Sequence, residues 1–492
     1  MLLVRKYIRA AIVVAAVAVL ASCGGGSAAG GGGGGSSSSS SGGSNPPGNV
    51  TSRISIDGTR AGQTISGWEV TARFWEFDKA NDRYDASWLT SRDAIVQKLI
   101  DDAGITRVRL EVRSGVENPV DYWSQFVAGQ ISYNTGRDHY YEKINDNNDP
   151  AVANAGGFQW SSFDYYIQNF VLPMKSQLTA RNKTLHVNLC FVDFNTTPFK
   201  GTLSLSGSPS EYAEFMTLAA MRLRDRFGIS PDSLEIILEP DNGDGWSPTA
   251  VGRAIVAAKS RLAAAGINPK IIAPSTSSAG GTAGFLDGIA TISGASSAIN
   301  TVSYHRYDGA AADQSLATIR QRAASLGADT AMLEYVQATI QNFFKDMAFG
   351  GATAWQAYAA ARKGDAASAT SAYGAVLWQS PGGTLALTSQ YSQIGLIQRN
   401  ILPGARAYAV SSQLGSDLSL DFRNPDGSEV IAVYSPGGST IEISGAGHTA
   451  FNATFAGPDR AAYTSSTVNA NGSGLIIVTI PANTLVVLHS TN

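Results

Sequence analysis

The chain has 492 residues, 43% hydrophobic and only 15% charged, and its 36 Lys and Arg against 39 Asp and Glu leave a net charge of -3. That composition is globular and long enough for several domains, and it has no basic surplus of the kind that marks a nucleic-acid footprint. A neutral polar partner fits this balance better than a polyanion, and the two cysteines, Cys23 and Cys190, cannot make a disulfide framework.

At the amino end, Arg5, Lys6 and Arg9 precede an apolar run from Ala10 to Leu20. This is the basic-then-apolar order of an export signal, and the run is short for a membrane-spanning helix. It ends in Leu20-Ala-Ser-Cys23, which resembles the bacterial lipobox. The resemblance implies a signal peptide over 1–22, lipidation of Cys23 and, with Gly24 next, anchoring at the bacterial outer membrane or cell surface. Residues 24–49 are almost all Gly and Ser. They predict a flexible tether that holds the body ~25–30 Å from the bilayer.

Beyond the tether, strand and helix patterns alternate. Arg53-Ile-Ser-Ile-Asp-Gly58 reads as a strand ending in a turn, and 61–70 contains a second. Ser91 to Ala103 carries Ala94, Ile95, Leu99 and Ile100 on one helical stripe and is closed by Gly104. Thr106-Arg-Val-Arg-Leu-Glu-Val112 is a strand, followed by a long irregular segment, 113–160. A helix over 161–181, a strand over 184–192 and a helix over 210–227 lead to Ser233-Leu-Glu-Ile-Ile-Leu-Glu239, an apolar strand stopped by Pro240. A helix over 249–265, strands at 270–273 and 301–305, a helix over 313–326, the strand Thr330-Ala-Met-Leu-Glu334, a helix near 337–347 and a strand at 352–357 follow. Eight strands alternating with helices predict an α/β fold, a (β/α)8 TIM barrel over 50–403. No Gly-x-Gly-x-x-Gly follows the first strand, which argues against a dinucleotide fold. From Ala405 the runs are short and alternating, at Leu418–Phe422, Val430–Tyr434, Thr440–Ile443, Leu475–Ile480 and Leu485–Leu488, with turns such as Asn424-Pro-Asp-Gly427. They predict a C-terminal all-β sandwich over 404–492, which the early strand at 53–58 is expected to complete.

In a barrel the carboxyl ends of the strands share one face, where active sites sit. Strand four then ends in Glu239 and strand seven in Glu334, facing each other across the ring. Strand six ends in His305-Arg-Tyr307, strand two carries Arg109 and Glu111, and strand eight carries Trp355. Two carboxyls on one axis suit glycoside hydrolysis. One is protonated to serve the leaving oxygen, and the other is ionised to attack the anomeric carbon. Arg109 is the candidate partner of an ionised Glu334, Tyr307 a further hydrogen bond to it, and Trp355 an aromatic face for a pyranose. Plainer readings accompany each residue: strand-end structural carboxylates for both Glu, a scaffold role for His305, Glu111 as Arg109's partner or as a rival acid, Trp355 in the core, and Asp241 and Asn242 as loop caps. Cys190, within an apolar strand, reads as a packed small hydrophobe. His139, His186, His448 and His489 show no ligand spacing, and the Asp-rich run 138–149 lacks the Gly and terminal Glu of a calcium loop, so no metal and no cofactor are expected.

These residues resemble glycoside hydrolases of clan A, and within it family 30. The resemblance rests on Gln63-Thr-Ile-Ser-Gly67, Glu239-Pro240, His305-Arg-Tyr307, Glu334, Tyr391-Ser-Gln-Ile-Gly395, Ile401-Leu-Pro-Gly404, Asn424-Pro-Asp-Gly-Ser428 and Pro481-Ala-Asn-Thr484. It implies retaining hydrolysis of a β-linked poly- or oligosaccharide, with Glu239 as acid/base and Glu334 as nucleophile. Arg109, His305, Tyr307, Trp355 and Asn242 are its supporting or substrate-contacting residues. Leu238 departs from the family pattern, which has an Asn before the acid/base that contacts the sugar's 2-hydroxyl. The segment 113–160, with Trp123 and Trp160, is expected to wall the sugar cleft, or else to form a packed lid. A monomer acting on carbohydrate, bound to the membrane through Cys23 and not to nucleic acid, is the reading that results. The rival is a non-catalytic surface glycan-binding lipoprotein on the same barrel.

Overall fold

Eight parallel strands close on themselves: Gly67–Thr71, Ile105–Arg113, His186–Val192, Ser233–Glu235, Lys270–Thr276, Ile299–His305, Asp329–Glu334 and Ala352–Trp355. The ring shuts where the eighth strand pairs with the first, Ala354 with Gly67 and Trp355 with Trp68. The computed structural model describes residues 49–491 apart from 75, 79, 195–200, 244, 365–372, 379–384 and 459–462. The expected signal peptide, Cys23 and nearly all of the Gly/Ser tether lie outside the described residues. No helix of the described residues is long and apolar enough to cross a membrane.

Alternation along each strand decides what fills the ring. On the second strand, Val108, Leu110 and Val112 join the apolar core beneath the helices. Arg107 and Arg109 point the other way, into the barrel. Near the amino ends of the strands Arg107 Nε meets Glu69 at 3.0 Å, and Asn188 donates to Glu69 at 3.3 Å and to Glu235 at 2.9 Å. The opposite wall is dry, with Ile272, Ala331, Leu333 and Ala354 packed together. One side of the barrel interior is therefore a paired polar network, with Glu235 Oε1 the buried oxygen in it that has no partner among the described residues.

The outer helices fall where the sequence periodicity puts them, at Arg92–Asp101, Pro209–Phe227, Pro248–Ala264 and Ala312–Leu326. Gly228 and Gly327 end the second and fourth of these in left-handed conformations. One helix, Ala279–Ile289, has no counterpart in the sequence reading, and three strands, Ala359–Lys363, Gly374–Trp378 and Ala386–Leu387, extend the sheet beside the first barrel strand. The fourth barrel strand is shorter than its apolar run. Regular pairing stops at Glu235, and the chain continues to Glu239 on single bonds, from Leu238 N to Phe191 O at 2.9 Å and from Glu239 N to Ser275 O at 3.0 Å.

The second layer is a nine-stranded mixed sheet that folds over a core including Ile54, Ile56, Ile431, Val433, Ile441, Phe451 and Leu488. The early strand, Ser52–Thr64, belongs to it, antiparallel to Arg406–Leu414 and parallel to Ser439–Ser444. The outer face of this sheet, with Phe422, Ala432 and Val487, packs into the same apolar core as the barrel helices. Two residues separate that strand from the barrel. Gly67, at φ +128°, starts the first barrel strand, and a Cβ there would stand 2.6 Å from Thr106 Oγ1. Trp68 then donates its indole N–H to Ile401 O at 3.0 Å, fastening the barrel to the segment that leads into the sandwich.

Candidate active site

The carboxyl ends of strands two, four, six and seven converge. Arg109, Glu239, His305 and Glu334 are all buried, at 0%, 6%, 0% and 7% exposure. One carboxyl oxygen each from Glu239 and Glu334 and one ring nitrogen of His305 lie within 4.8 Å of one another.

Glu334 reaches this position through an irregularity. Met332 pairs with Tyr304, yet Glu334 pairs with the very next residue, His305, so the seventh strand carries one residue more than its partner. A bulge of this kind re-aims a side chain. Without it, Glu334 would share the outward face of Met332. Once inside, its oxygens are divided between two donors: Tyr307 Oη to Oε1 at 2.8 Å, and Arg109 Nη2 to Oε2. Arg109 also donates to Leu333 O at 3.2 Å and to Glu111 at 3.4 Å. Both expected partners of Glu334 are thus in place, and Glu111 shares the guanidinium.

Glu239 has a different set. His305 Nδ1 lies 2.8 Å from Oε1, and Asn242 Nδ2 donates to Oε2 at 2.8 Å. Glu239 itself sits in the left-handed region, at φ 49°, heading the single turn Pro240–Asn242 that brings Asn242 back onto it. Asp241 points away and caps the next loop, accepting from Ser277 N and Oγ, both at 2.7 Å.

The electrostatics distinguish the groups. Burial pushes the Glu334 carboxyl up from its ordinary range, and Glu239 adds to this, while Arg109 and His305 pull it down. The net direction is upward, so Arg109 offsets desolvation only in part. Burial works against a charged His305, but the hydrogen bond to Glu239 and the negative charges of Glu334 and Glu239 outweigh it, and its pKa is raised. The donor types of Glu239, His305 and Glu334 are those of a metal site. Here, however, the Arg109 guanidinium and the Tyr307 phenol already take the two oxygens of Glu334.

The tryptophans are placed elsewhere. Trp355 is fully buried on the outward face of strand eight, donates to Asp346 Oδ2 at 2.9 Å and meets Phe343 edge-on. It packs between barrel and helix and offers no face to a sugar. The inward residue of that strand end is Gln356, which donates to Leu333 O beside Arg109 and which the sequence reading missed. Trp123, 8% exposed, packs against Phe126, Tyr165 and Tyr166 in the lid over 113–160. Trp160 lines a separate cavity of about 590 Å³ with Phe158, Met221 and Arg222, none of which touches the carboxyl pair. Aromatic groups at the mouth are instead Tyr307, Tyr335 and Tyr358, the last beneath the Arg109 guanidinium at 5.8 Å. Leu238 packs with Cys190 and Val192, flanked by Tyr141 and Phe194, an apolar strip next to Glu239.

Asp193 locks the loops around this group. It accepts from Ser114 at 2.7 Å, Lys143 at 2.7 Å and Trp246 at 3.1 Å, joining the ends of strands two, three and four.

No protein-family model matches the sequence, and a search of curated proteins finds no match. The fold does match solved structures. The catalytic domain of the GH30 xylanase C from Talaromyces cellulolyticus superposes with a TM-score of 0.61 at 16% identity, over 89% of this chain and 100% of that one. A GH30 endoxylanase from Clostridium papyrosolvens C71 gives 0.60 at 14% identity, over 89% and 100%. An endo-beta1,6-glucanase gives 0.60 at 15% identity, over 89% and 93%. The barrel-plus-sandwich architecture of family 30 is therefore the architecture of this chain.

Proposed function

We propose that the protein is a retaining β-glycoside hydrolase, held at the cell surface through lipidated Cys23, with Glu334 as nucleophile and Glu239 as acid/base. The observation that carries this reading is the pair of carboxyls with oxygens within 4.8 Å and unlike partners. Retaining enzymes keep their carboxyls about 5–5.5 Å apart, whereas inverting enzymes leave about 6.5–9.5 Å for a water. Arg109 and Tyr307 both present hydrogens to Glu334, which suits a carboxylate that attacks the anomeric carbon. As the glycosidic bond breaks, Glu239 gives its proton to the leaving oxygen. In the second half-reaction it takes a proton from the water that cleaves the glycosyl–Glu334 ester. His305, bonded to Glu239 through Nδ1, is placed to exchange that proton, and Asn242 fixes the other oxygen. The apolar strip at Leu238 supports contact with carbon–hydrogen faces of the sugar in place of a hydrogen bond from position 238. Xylanases and a glucanase among the proteins of like fold support a β-linked polysaccharide or oligosaccharide as substrate.

A panel of aryl β-glycosides tests the proposal. The wild type should turn over at least one of them with the β-anomer as first product by NMR, and Glu334→Gln and Glu239→Gln should each lose at least about 10³-fold in rate. Wild-type turnover in both variants would refute the assignment of the residues. Glycan binding without turnover of any substrate would favour the non-catalytic reading, and an α-anomer as first product would point to inversion.

A further inference from the structure

On the side of strands one and two, a line of alternating charge leads away from Glu334. Arg109 Nη2 is shared between Glu334 and Glu111, whose Oε1 lies 3.4 Å away. The other oxygen of Glu111, Oε2, faces Arg73 Nη1 at 4.0 Å. Arg73 stands on the loop that follows strand one. Its guanidinium donates no hydrogen bond among the described residues, although its side chain is only 18% exposed. A guanidinium has five N–H groups to satisfy, and leaving them unmet away from water is costly. A gap of 4.0 Å between a donor and an acceptor is closed by one oxygen that accepts from Nη1 and donates to Oε2. A sugar hydroxyl is such an oxygen.

The walls of this place limit what can enter. Tyr358 lies 5.8 Å from the Arg109 guanidinium and stands edge-on to Tyr373 at 5.1 Å. Arg73, Glu111 and Glu334 all act electrostatically on both phenols, so the two rings flank the whole line. Behind Arg73 the space is filled. Glu76, 1% exposed, accepts from Tyr166 Oη. Arg113, 5% exposed, lies over the Tyr140 ring at 4.0 Å and 5.9 Å from that of Tyr166. Tyr166 and Glu76 both act on the Arg73 charge, which puts this packed layer at its back. Along the line itself, Arg109 and Arg73 balance Glu334 and Glu111, so the place suits a neutral sugar better than a uronate.

We propose that Arg73 and Glu111 form the end wall of a one-sugar subsite that holds the non-reducing terminal unit of a neutral β-glycoside, so that hydrolysis proceeds from the chain end. This inference rests on the retaining-glycosidase reading, in which the anomeric carbon lies against Glu334. A hydroxyl on the far side of the ring then bridges Arg73 and Glu111, accepting from one and donating to the other. Internal cleavage of a chain demands a groove that runs on past this sugar, and the layer of Glu76, Tyr166 and Tyr140 closes it. Because the bridging hydroxyl both donates and accepts, a sugar without it leaves two charged groups unmet, which is the strongest form of rejection a polar site can offer.

Full-length protein and the aryl β-monoglycoside it turns over fastest test this. An oligosaccharide of the same sugar should release only monosaccharide as its first product. Of the 3-deoxy and 4-deoxy forms of the aryl glycoside, one should lose about 10- to 100-fold in kcat/KM with the wild type. In Glu111→Gln that loss should shrink to below about threefold, because the partner of the hydroxyl has gone. A purely structural role for Glu111 would lower both substrates alike and leave the ratio unchanged. Arg73→Gln, read by the same ratio, serves as the second variant should the first fail to fold. Internal cleavage of an oligosaccharide blocked at its non-reducing end, or an unchanged ratio in the variants, would overturn the assignment and leave the retaining reading standing. A wild type that turns over no glycoside would refute that reading, and this inference with it.

Discussion

Each oxygen of Glu334 has its own donor and each oxygen of Glu239 its own partner, but the partners differ in kind. Arg109 is fixed in charge, whereas the His305 imidazole can pass its proton on. The pKa of Glu334 is a contest between burial, which raises it, and Arg109, which lowers it. Arg109→Gln removes the restraining charge, so the carboxyl should stay protonated to a higher pH. The acidic limb of the pH–kcat/KM profile is expected to move to higher pH, with a fall in rate at every pH. A profile that moves to lower pH, or does not move, would show that Arg109 does not set the ionisation of Glu334.

At the scale of elements, the tail of strand six is the part that touches both carboxyls, through His305 and Tyr307. The residue between them turns outward. Arg306 is fully buried and reaches Asp346 at 2.6 Å, and Asp346 also accepts from Tyr304 at 3.0 Å and Trp355 at 2.9 Å. Asp346 is a positioning residue on this geometry. Asp346→Asn should cost about 2 kcal/mol in denaturant unfolding, since it leaves the buried Arg306 guanidinium with only Asp313 as a charged partner. It should also lower kcat more than it changes KM, because the tail loosens while the mouth keeps its shape. An unchanged kcat would confine Asp346 to a stabilising role.

The same elements show what a sequence discloses. The strand-end acids were legible because an apolar run that ends in a charge before a proline or aromatic is unusual for a core. The helices were legible from their 3.6-residue stripes. Trp355 was misread because Ala352-Thr-Ala-Trp-Gln356 has no apolar–polar alternation to set its parity, so the inward residue, Gln356, could not be told from the outward one. The bulge that turns Glu334 inward leaves no mark in sequence. The helix Ala279–Ile289 hid behind four glycines in eleven residues, which propensity assigns to a loop and which packing against Thr276 and Pro248 overrides.

For the molecule as a whole, stability should depend on pH through the sandwich. Burial, then the neighbouring Glu429, push the Asp421 carboxyl up to about 8, with Arg423 opposing. Both of its oxygens are otherwise without partners. A carboxyl raised in the folded state favours folding while it keeps its proton. The contribution is full below the unfolded value of about 4 and is lost as pH rises through about 8. The thermal midpoint should therefore decline between those limits, and Asp421→Asn should flatten the decline. A wild-type midpoint that rises across that window would contradict the assignment.

The strand Ser52–Thr64 lies between partners from the far end of the chain; Arg53 meets Glu442, 389 residues later. During synthesis at roughly 5–20 residues per second, this strand waits for tens of seconds before either neighbour exists. The folded body cannot be sealed on the ribosome until its last strands have emerged, because its first strand is one of theirs. A chain kept open this long remains threadable. Late closure of this kind would suit the proposed export, because a polypeptide still open can pass through a membrane channel before it becomes a barrel.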